Sequence, residues 1–271
     1  MVWRRISIWI RFYTISPILL LLCSCEEIID VNLNNVQPEV VIESYITTEG
    51  HSFLVKITKS QAFFDQSNVT AVKNASVQLC YLSTKEKLSE KGNGYYACSN
   101  TKSIPGTSYT LNVVSEGKTY AATVKLPPVV PIDSVYFQPG IFQTDSLNVV
   151  VEFRDPPQTE NYYRLKFYRN GRYAINDYFL MSDAFSNGEK IVAPVYYRYY
   201  APGDTVVVEL LNLDRCTWRY LKGISESIQL GINTQAPGNP PTNITGGALG
   251  IFGAWGSSIY RVINKKSTLK K

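Results

Sequence analysis

Between Val40 and Trp255 the chain is built largely from short segments in which apolar and polar residues alternate, interrupted by glycine, proline and asparagine. A period of two puts every apolar side chain of a segment on one face, which is the pattern of a half-buried β-strand; a helix would scatter that face. Val40-Val41-Ile42-Glu43-Ser44-Tyr45-Ile46, Phe53 to Ile57, Ala75 to Tyr81 and Ser108 to Val114 read this way. Turns fall at Gly92-Asn93-Gly94, Pro105-Gly106 and Glu116-Gly117-Lys118. About seven such strands across residues 38–126 suggest an immunoglobulin-like sandwich.

Pro127-Pro128-Val129-Val130-Pro131 then breaks the pattern, and residues 127–132 read as a stiff connector between domains. Residues 133–256 read as a second β-rich domain. Its strand signals are Ser134 to Phe137, Leu147 to Phe153, Tyr162 to Tyr168, Val195 to Tyr200, Thr205 to Leu211 and Leu249 to Trp255, with a hairpin turn at Asn170-Gly171. Asp214 can cap a helix near residues 215–230, in which Trp218, Leu221, Ile224 and Ile228 recur at helical spacing. Gln235 to Pro241 is a loop, and residues 257–271 read as a C-terminal strand and basic tail. The expected fold class is all-β: an immunoglobulin-like sandwich followed by a second β-sandwich-like domain carrying one packed α-helix.

The N-terminus sets the expected address. Arg4, Arg5 and Arg11 form a positive region, and an apolar stretch follows from Phe12 to Leu22. That length suits a signal peptide and falls short of the roughly 20 residues of a spanning helix. Leu22-Cys23-Ser24-Cys25 has the form of a lipobox, so residues 1–24 are expected to be removed and Cys25 to be lipidated. Cys23 as the modified residue would put bulky Leu22 at the position before it, where a small side chain is required. With about 0.8 kcal/mol per buried CH₂, two or more acyl chains anchor a protein stably without spanning the bilayer. Residues 25–37 are then a lipidated tether, opened by Cys25-Glu26-Glu27-Ile28-Ile29-Asp30. Three of the 27 basic residues fall in the leader and none of the 22 acidic ones does, leaving 24 against 22. A nearly neutral body gives no reason to expect nucleic acid as a partner.

Several pieces in order resemble the lipoproteins of domain-of-unknown-function family 4249, found mainly in Bacteroidetes. They are Cys25 to Asp30, Pro38 to Glu43, Phe63-Phe64-Asp65, Gly117 to Ala122, Leu126-Pro127-Pro128 with Pro131 to Ser134, Pro202-Gly203-Asp204, Tyr220-Leu221 and Asn243 to Gly247. The closing Gly250-Ile251-Phe252-Gly253-Ala254 is the most distinctive. The sequence departs from the family pattern at Ala248-Leu249 and at Cys216. The resemblance implies an exported lipoprotein, often encoded beside a TonB-dependent outer-membrane receptor, and supplies no catalytic residues.

Candidate chemistry is sparse. His51, the only histidine, sits in a turn, so no catalytic residue is assigned through it and no metal site has sensible ligand spacing. No cofactor motif is present: Gly246-Gly247-Ala248-Leu249-Gly250 lacks the lysine and helix of a phosphate loop and reads as a tight turn. Cys80 and Cys98 are candidates for a disulfide worth about 3 kcal/mol. A strand over Lys85 to Glu90 would instead hold them apart, and the sequence leaves both readings open. Cys216 reads as a small buried helix residue. Asp155 with Glu160, or Asp183 with Glu189, have the residue types of a glycosidase pair, but turn carboxylates beside proline and glycine are usually solvent-facing caps. Tyr196-Tyr197-Arg198-Tyr199-Tyr200 puts Tyr197 and Tyr199 on one face of a strand, where they are candidate ligand-facing aromatics.

The functional expectation is a non-enzymatic accessory or binding lipoprotein, held in the outer membrane by its N-terminal lipid and acting beside a TonB-dependent receptor. Surface or periplasmic facing is left open. A structural or adhesive surface protein is the alternative, and a hydrolase stands behind both.

Overall fold

The computed structural model describes residues 37–61, 69–139, 147–157, 159–174, 178–195, 200–231 and 239–265. Pro38–Lys271 is one compact unit. Strands β1 (Val40–Thr47) and β2 (Ser52–Lys59) form a hairpin. After them come β3 (Ser76–Tyr81), β4 (Thr84–Lys87), β5 (Ser89–Gly92), β6 (Tyr95–Ser99), β7 (Ser108–Ser115) and β8 (Lys118–Lys125). Beyond the prolines run β9 (Ile132–Pro139), β10 (Leu147–Arg154), β11 (Tyr162–Arg169), β12 (Arg172–Tyr173), β13 (Phe179–Ser182), β14 (Lys190–Val195) and β15 (Thr205–Leu213). Helix α1 (Arg215–Gly231) and strand β16 (Leu249–Ile263) close the chain.

The strands form a four-stranded sheet β4-β3-β7-β8, a three-stranded sheet β14-β10-β9, and a nine-stranded sheet in the order β12-β11-β15-β16-β1-β2-β6-β5, with β13 also paired to β11. Alternation decides what each face meets. In β3, Val77, Leu79 and Tyr81 turn inward while Ser76, Gln78 and Cys80 turn out. The first core gathers Phe53, Ile57, Leu79, Tyr96, Leu111 and Phe252; the second sets Val149, Val151 and Phe153 against Tyr163, Leu165 and Phe167. The molecule is therefore an all-β double sandwich with one packed helix. Tyr109, at the start of β7, donates to the Lys102 carbonyl at 2.5 Å and accepts from the Ile104 amide at 2.8 Å, a tyrosine corner of the kind found in immunoglobulin-like sandwiches.

The two sandwiches are not separate beads on a linker. Leu249 to Trp255 of β16 pairs in parallel with Val41 to Thr47, and Trp255 to Ile263 pairs antiparallel with Leu213 to Thr205. One strand thus belongs to both halves, contributing Phe252 and Ala254 to the first core and packing Tyr260 and Val262 on the second. The division expected after residue 256 falls inside this unbroken strand, because Gly256-Ser257-Ser258 carries no apolar alternation to betray it. The proline connector is fastened to the same sheet: Asn212 Nδ2 donates to the Pro128 carbonyl at 3.0 Å and Ser258 Oγ to the Val130 carbonyl at 2.7 Å. Most of the strand expected from Val195 to Tyr200 falls on residues 196–199, which lie outside the described residues; β14 runs from Lys190 to Val195 just before them.

Helix α1 packs on the outer face of the nine-stranded sheet at the seam of the two halves, laying Tyr220 and Leu221 on Leu211, Leu213 and Ile251. Asp214 fixes its start. Its carboxylate accepts from the Cys216 amide at 2.8 Å and the Thr217 amide at 3.3 Å, as an N-cap does, and also from the Thr217 hydroxyl. It reaches across to the Ala254 amide of β16 at 2.7 Å. Gly253 makes the approach possible: a Cβ there would overlap Thr217 Oγ1 and come 2.8 Å from the Tyr45 ring. No helix among the described residues is long and apolar enough to cross a membrane.

Candidate functional site

The seam is where polar and aromatic chemistry gathers on the outside. Strand β11 turns Tyr163, Leu165 and Phe167 into the second core, so Tyr162, Arg164, Lys166 and Tyr168 emerge on the opposite face. The hairpin behind it is built by Asn170 and Gly171, both at positive φ (50° and 78°), which returns β12 so that Tyr173 stands beside Tyr168 at a ring separation of 5.5 Å. Helix α1 borders this face. Arg215, Trp218, Arg219 and Lys222 lie three and four residues apart and share one side of it.

Ring and cation contacts lock the surface. Trp218 stacks on Tyr162 with centroids 4.7 Å apart and planes 33° from parallel, and Lys222 Nζ lies 5.1 Å from the indole centroid. The Arg164 guanidinium sits 4.5 Å over the Tyr178 ring and Nη2 donates to the Tyr173 hydroxyl at 3.5 Å. Tyr45 of β1 meets Trp255 at 4.9 Å. Burial, aided by Tyr220 and Glu43 and opposed by Arg164, pushes the Tyr45 hydroxyl far up, so it remains a neutral donor. Lys166 is neutralised by Glu209 at 3.3 Å, and Glu209 also accepts from Tyr168 at 3.2 Å and Ser257 at 3.3 Å. Two donors here have no hydrogen-bond partner although their atoms are buried: Arg164 Nε and Trp218 Nε1.

The family model described as domain of unknown function (DUF4249) matches residues 26–261. The chain belongs to that family. The match begins just behind Cys25 and ends within β16, so one DUF4249 unit takes in both sandwiches and the strand they share. No curated protein matches the chain. Among solved structures, a two fibronectin type-III domain segment from chicken tenascin is similar at 14% identity, covering 65% of this chain and 91% of that one with a TM-score of 0.22. The sandwich assignment rests on the strand pairings themselves.

The DUF4249 structure redistributes the residues singled out from sequence. Cys25, Cys23 and the aromatic pair Tyr197 and Tyr199 lie outside the described residues. Their neighbour Tyr200 is 5% exposed, packed on Phe137 at 5.4 Å under the Arg169 guanidinium, and so belongs to the core. The Cys80–Cys98 bridge is corrected: both are free thiols, as is Cys216. Cys80 points off the outer face of β3, toward Asn112 Nδ2 at 3.7 Å, whereas Cys98 turns inward beside Phe53 on the opposing sheet. The intervening chain does form strands, β4 and β5, and the two sulfurs face opposite ways. Burial pushes the Cys98 thiol up to about 11. It lies in a shallow polar cleft of about 470 Å³ beside Glu86, whose carboxylate accepts from Thr101 at 2.8 Å and Tyr81 at 2.5 Å.

The turn carboxylates divide. Glu160 and Glu189 are exposed, but Asp155 and Asp183 are 0% and 2% exposed rather than solvent-facing. Asp155 accepts from the Tyr163 hydroxyl and from the Gly188 amide at 2.8 Å; Asp183 accepts from the Asn161 amide at 2.9 Å. They staple the two loops at one end of the second sandwich. His51 is exposed in its turn, and Gly246 to Gly250 leads into a strand. Among the described residues no group of three or more His, Cys, Asp or Glu could hold a metal ion. Arg164, Tyr178 and Trp218 were not singled out as a site from sequence. The alternation of Tyr162 to Tyr168 announced a face, but only the fold brings helix α1 to its border.

Proposed function

We propose that this DUF4249 protein is an envelope lipoprotein of the Bacteroidetes type, held in the outer membrane through Cys25, that works by non-covalent binding beside a TonB-dependent receptor. One observation carries the binding half of this reading. The side chains with reactive potential are committed to holding the fold, while aromatic and cationic ones face outward at the seam. Asp155 and Asp183 are buried in amide and hydroxyl cradles, Asp214 caps α1 and anchors β16, and the Cys98 thiol stays protonated. Carboxylates held this way tie loops, helix and strand together and are not presented in a cleft to a substrate. The lipobox Leu22-Cys23-Ser24-Cys25 supports the anchoring half, and the family resemblance supports the receptor.

Crosslinking of intact cells followed by purification of the tagged protein tests the partner. A TonB-dependent receptor recovered with the wild type is expected; its repeated absence would reject the partnership. Phosphate-free hydrolase screening with soluble glycosides should give no turnover, and a turnover lost on changing Asp155 or Asp183 would reject the non-catalytic reading.

A further inference from the structure

We propose that the open backbone edge of β16 between Ile259 and Ile263 takes up an extended acidic segment of a partner protein as an added strand. This edge is then the surface through which the binding reading operates, and its role rests on that reading. Backbone direction comes first. On the β1 side, the Trp255 carbonyl accepts from the Thr48 amide at 3.3 Å and the Ser257 amide donates to Thr48 Oγ1 at 3.0 Å. On the β15 side, the Asn264 amide donates to the Asp204 carbonyl and the Asn264 carbonyl accepts from the Gly203 amide, both at 2.8 Å. Successive residues of a strand turn their N–H and C=O groups to opposite sides, so the odd-numbered residues of β16 point away from β15. Strand β1 pairs with β16 only as far as Trp255, whereas β15 continues to Ile263. The amides and carbonyls of Ile259 and Arg261, and the amide of Ile263, are therefore left without a neighbouring strand among the described residues.

Other sheet edges are blunted in ways that prevent such pairing. Strand β12 has two residues, β4 and β5 have four each and carry charged side chains, β14 holds Pro194, and β8 is closed at Ala121 by the Thr245 amide. The edge of β16 instead exposes Ile259 and Ile263, at 60% and 45%. Strand β9, paired only with β10, runs beside it, and Tyr136 and Phe137 with Tyr260 and Val262 line a cleft of about 480 Å³. Alternate side chains of an added strand would turn into this cleft, where apolar groups fit, and outward beside Arg261, where a carboxylate fits. Arg261 and Lys265 are exposed, and no ion pair among the described residues involves either. The acids of the surrounding strands are engaged: Glu209 with Lys166, Asp204 with Arg169, and Glu152 with Lys190. Asp133 of β9 also acts on Lys190, whose charged form it favours. A second copy of the chain would bring its own Arg261 and Lys265 to the same positive strip. A lipid surface fits less well, because hydrocarbon would leave the open N–H and C=O groups unpartnered.

The test is titration of the full mature protein with a labelled, capped heptapeptide alternating valine and glutamate, read by fluorescence anisotropy and by amide hydrogen exchange. In the free protein the amides of Ile259, Arg261 and Ile263 should exchange quickly, and those of Tyr260 and Val262, which face β15, slowly. Saturable binding that weakens as salt is raised is expected, with the first three amides slowed about tenfold or more. Arg261→Glu, at an exposed side chain, should lower affinity about fivefold to tenfold with the melting curve unchanged, and should turn the preference toward the same peptide with lysine in place of glutamate. Methylating the peptide nitrogens, which keeps its side chains and removes its backbone donors, should abolish binding. Equal binding of the methylated peptide would overturn the inference. So would failure to saturate, an unchanged affinity in Arg261→Glu, or equal protection of the three amides by vesicles rich in phosphatidylserine. Protection of the same amides by self-association, without peptide, would overturn it in favour of a second copy. If the peptide fails to bind while the receptor still co-purifies, only the added strand is rejected; loss of the receptor with peptide binding intact rejects the partnership alone.

Discussion

Replacing Asp214 with alanine should loosen the joint between helix and shared strand, and its cost follows from the bonds. The change removes the N-cap of α1, worth about 1 kcal/mol. It also strips an acceptor from the Thr217 hydroxyl, which is 0% exposed, and one of two acceptors from the Ala254 amide, whose remaining partner is Thr217 Oγ1 at 3.0 Å. Leaving one buried donor unmet adds about 1–3 kcal/mol, for about 2–4 kcal/mol in all. At about 2–4 °C per kcal/mol for a unit of this size, the melting temperature should fall by about 4–16 °C. Equilibrium urea unfolding of the mature chain measures the loss directly. Thr217→Val in the Asp214→Ala background should add little, because the two residues act as one cluster. A loss below about 0.5 kcal/mol, or full additivity of the two changes, would refute the claim that this carboxylate ties α1 to β16.

Other outcomes follow from the same structure. Non-reducing peptide mapping should recover Cys80 and Cys98 as thiols, and Cys98 should alkylate slowly near neutral pH and faster as the pH approaches 11; a Cys80–Cys98 crosslinked peptide would contradict the facing of the two strands. Tyr162 is raised to about 12 and Tyr45 further, both first of all by burial, so the folded state keeps protons that the unfolded chain releases from pH 10 upward. Their contribution to stability is fully present below pH 10 and is lost as the pH rises toward 12, so an absorbance titration should show a late tyrosine fraction ionising together with unfolding. Gly253→Val should crowd Thr217 and Tyr45 and destabilise the helix joint, measured as a lower urea midpoint, while Gly171→Ala in the exposed hairpin should cost only its positive-φ strain.

Much of the local architecture was legible because strands announce themselves. Val40 to Ile46 and Tyr162 to Tyr168 alternate cleanly, Asn170-Gly171 names its turn type, and Asp214 sits where a cap must sit. What alternation does not carry is partnership. Nothing in the strand read from Leu249 to Trp255 says that it pairs in parallel with β1, more than two hundred residues earlier in the chain, or that Gly253 and Gly256 are small because the helix cap and the proline connector lie against them. The same gap hid the surface at the seam: period two tells that Tyr162, Arg164 and Lys166 share a side, while only tertiary packing decides that this side faces out. With 19 tyrosines, residue type alone could not separate the core residue Tyr200 from the surface residue Tyr173. Asp155 and Asp183 read as loop caps because the amides they accept from come from distant segments.

The proposed anchoring of this body to an envelope is tested most directly at the first residue of the processed chain. Mass spectrometry of the N-terminal peptide should find a chain beginning at Cys25, with a diacylglyceryl group in thioether linkage on its sulfur. A peptide carrying the unmodified thiol, or one still joined to residues 1–24, would contradict it.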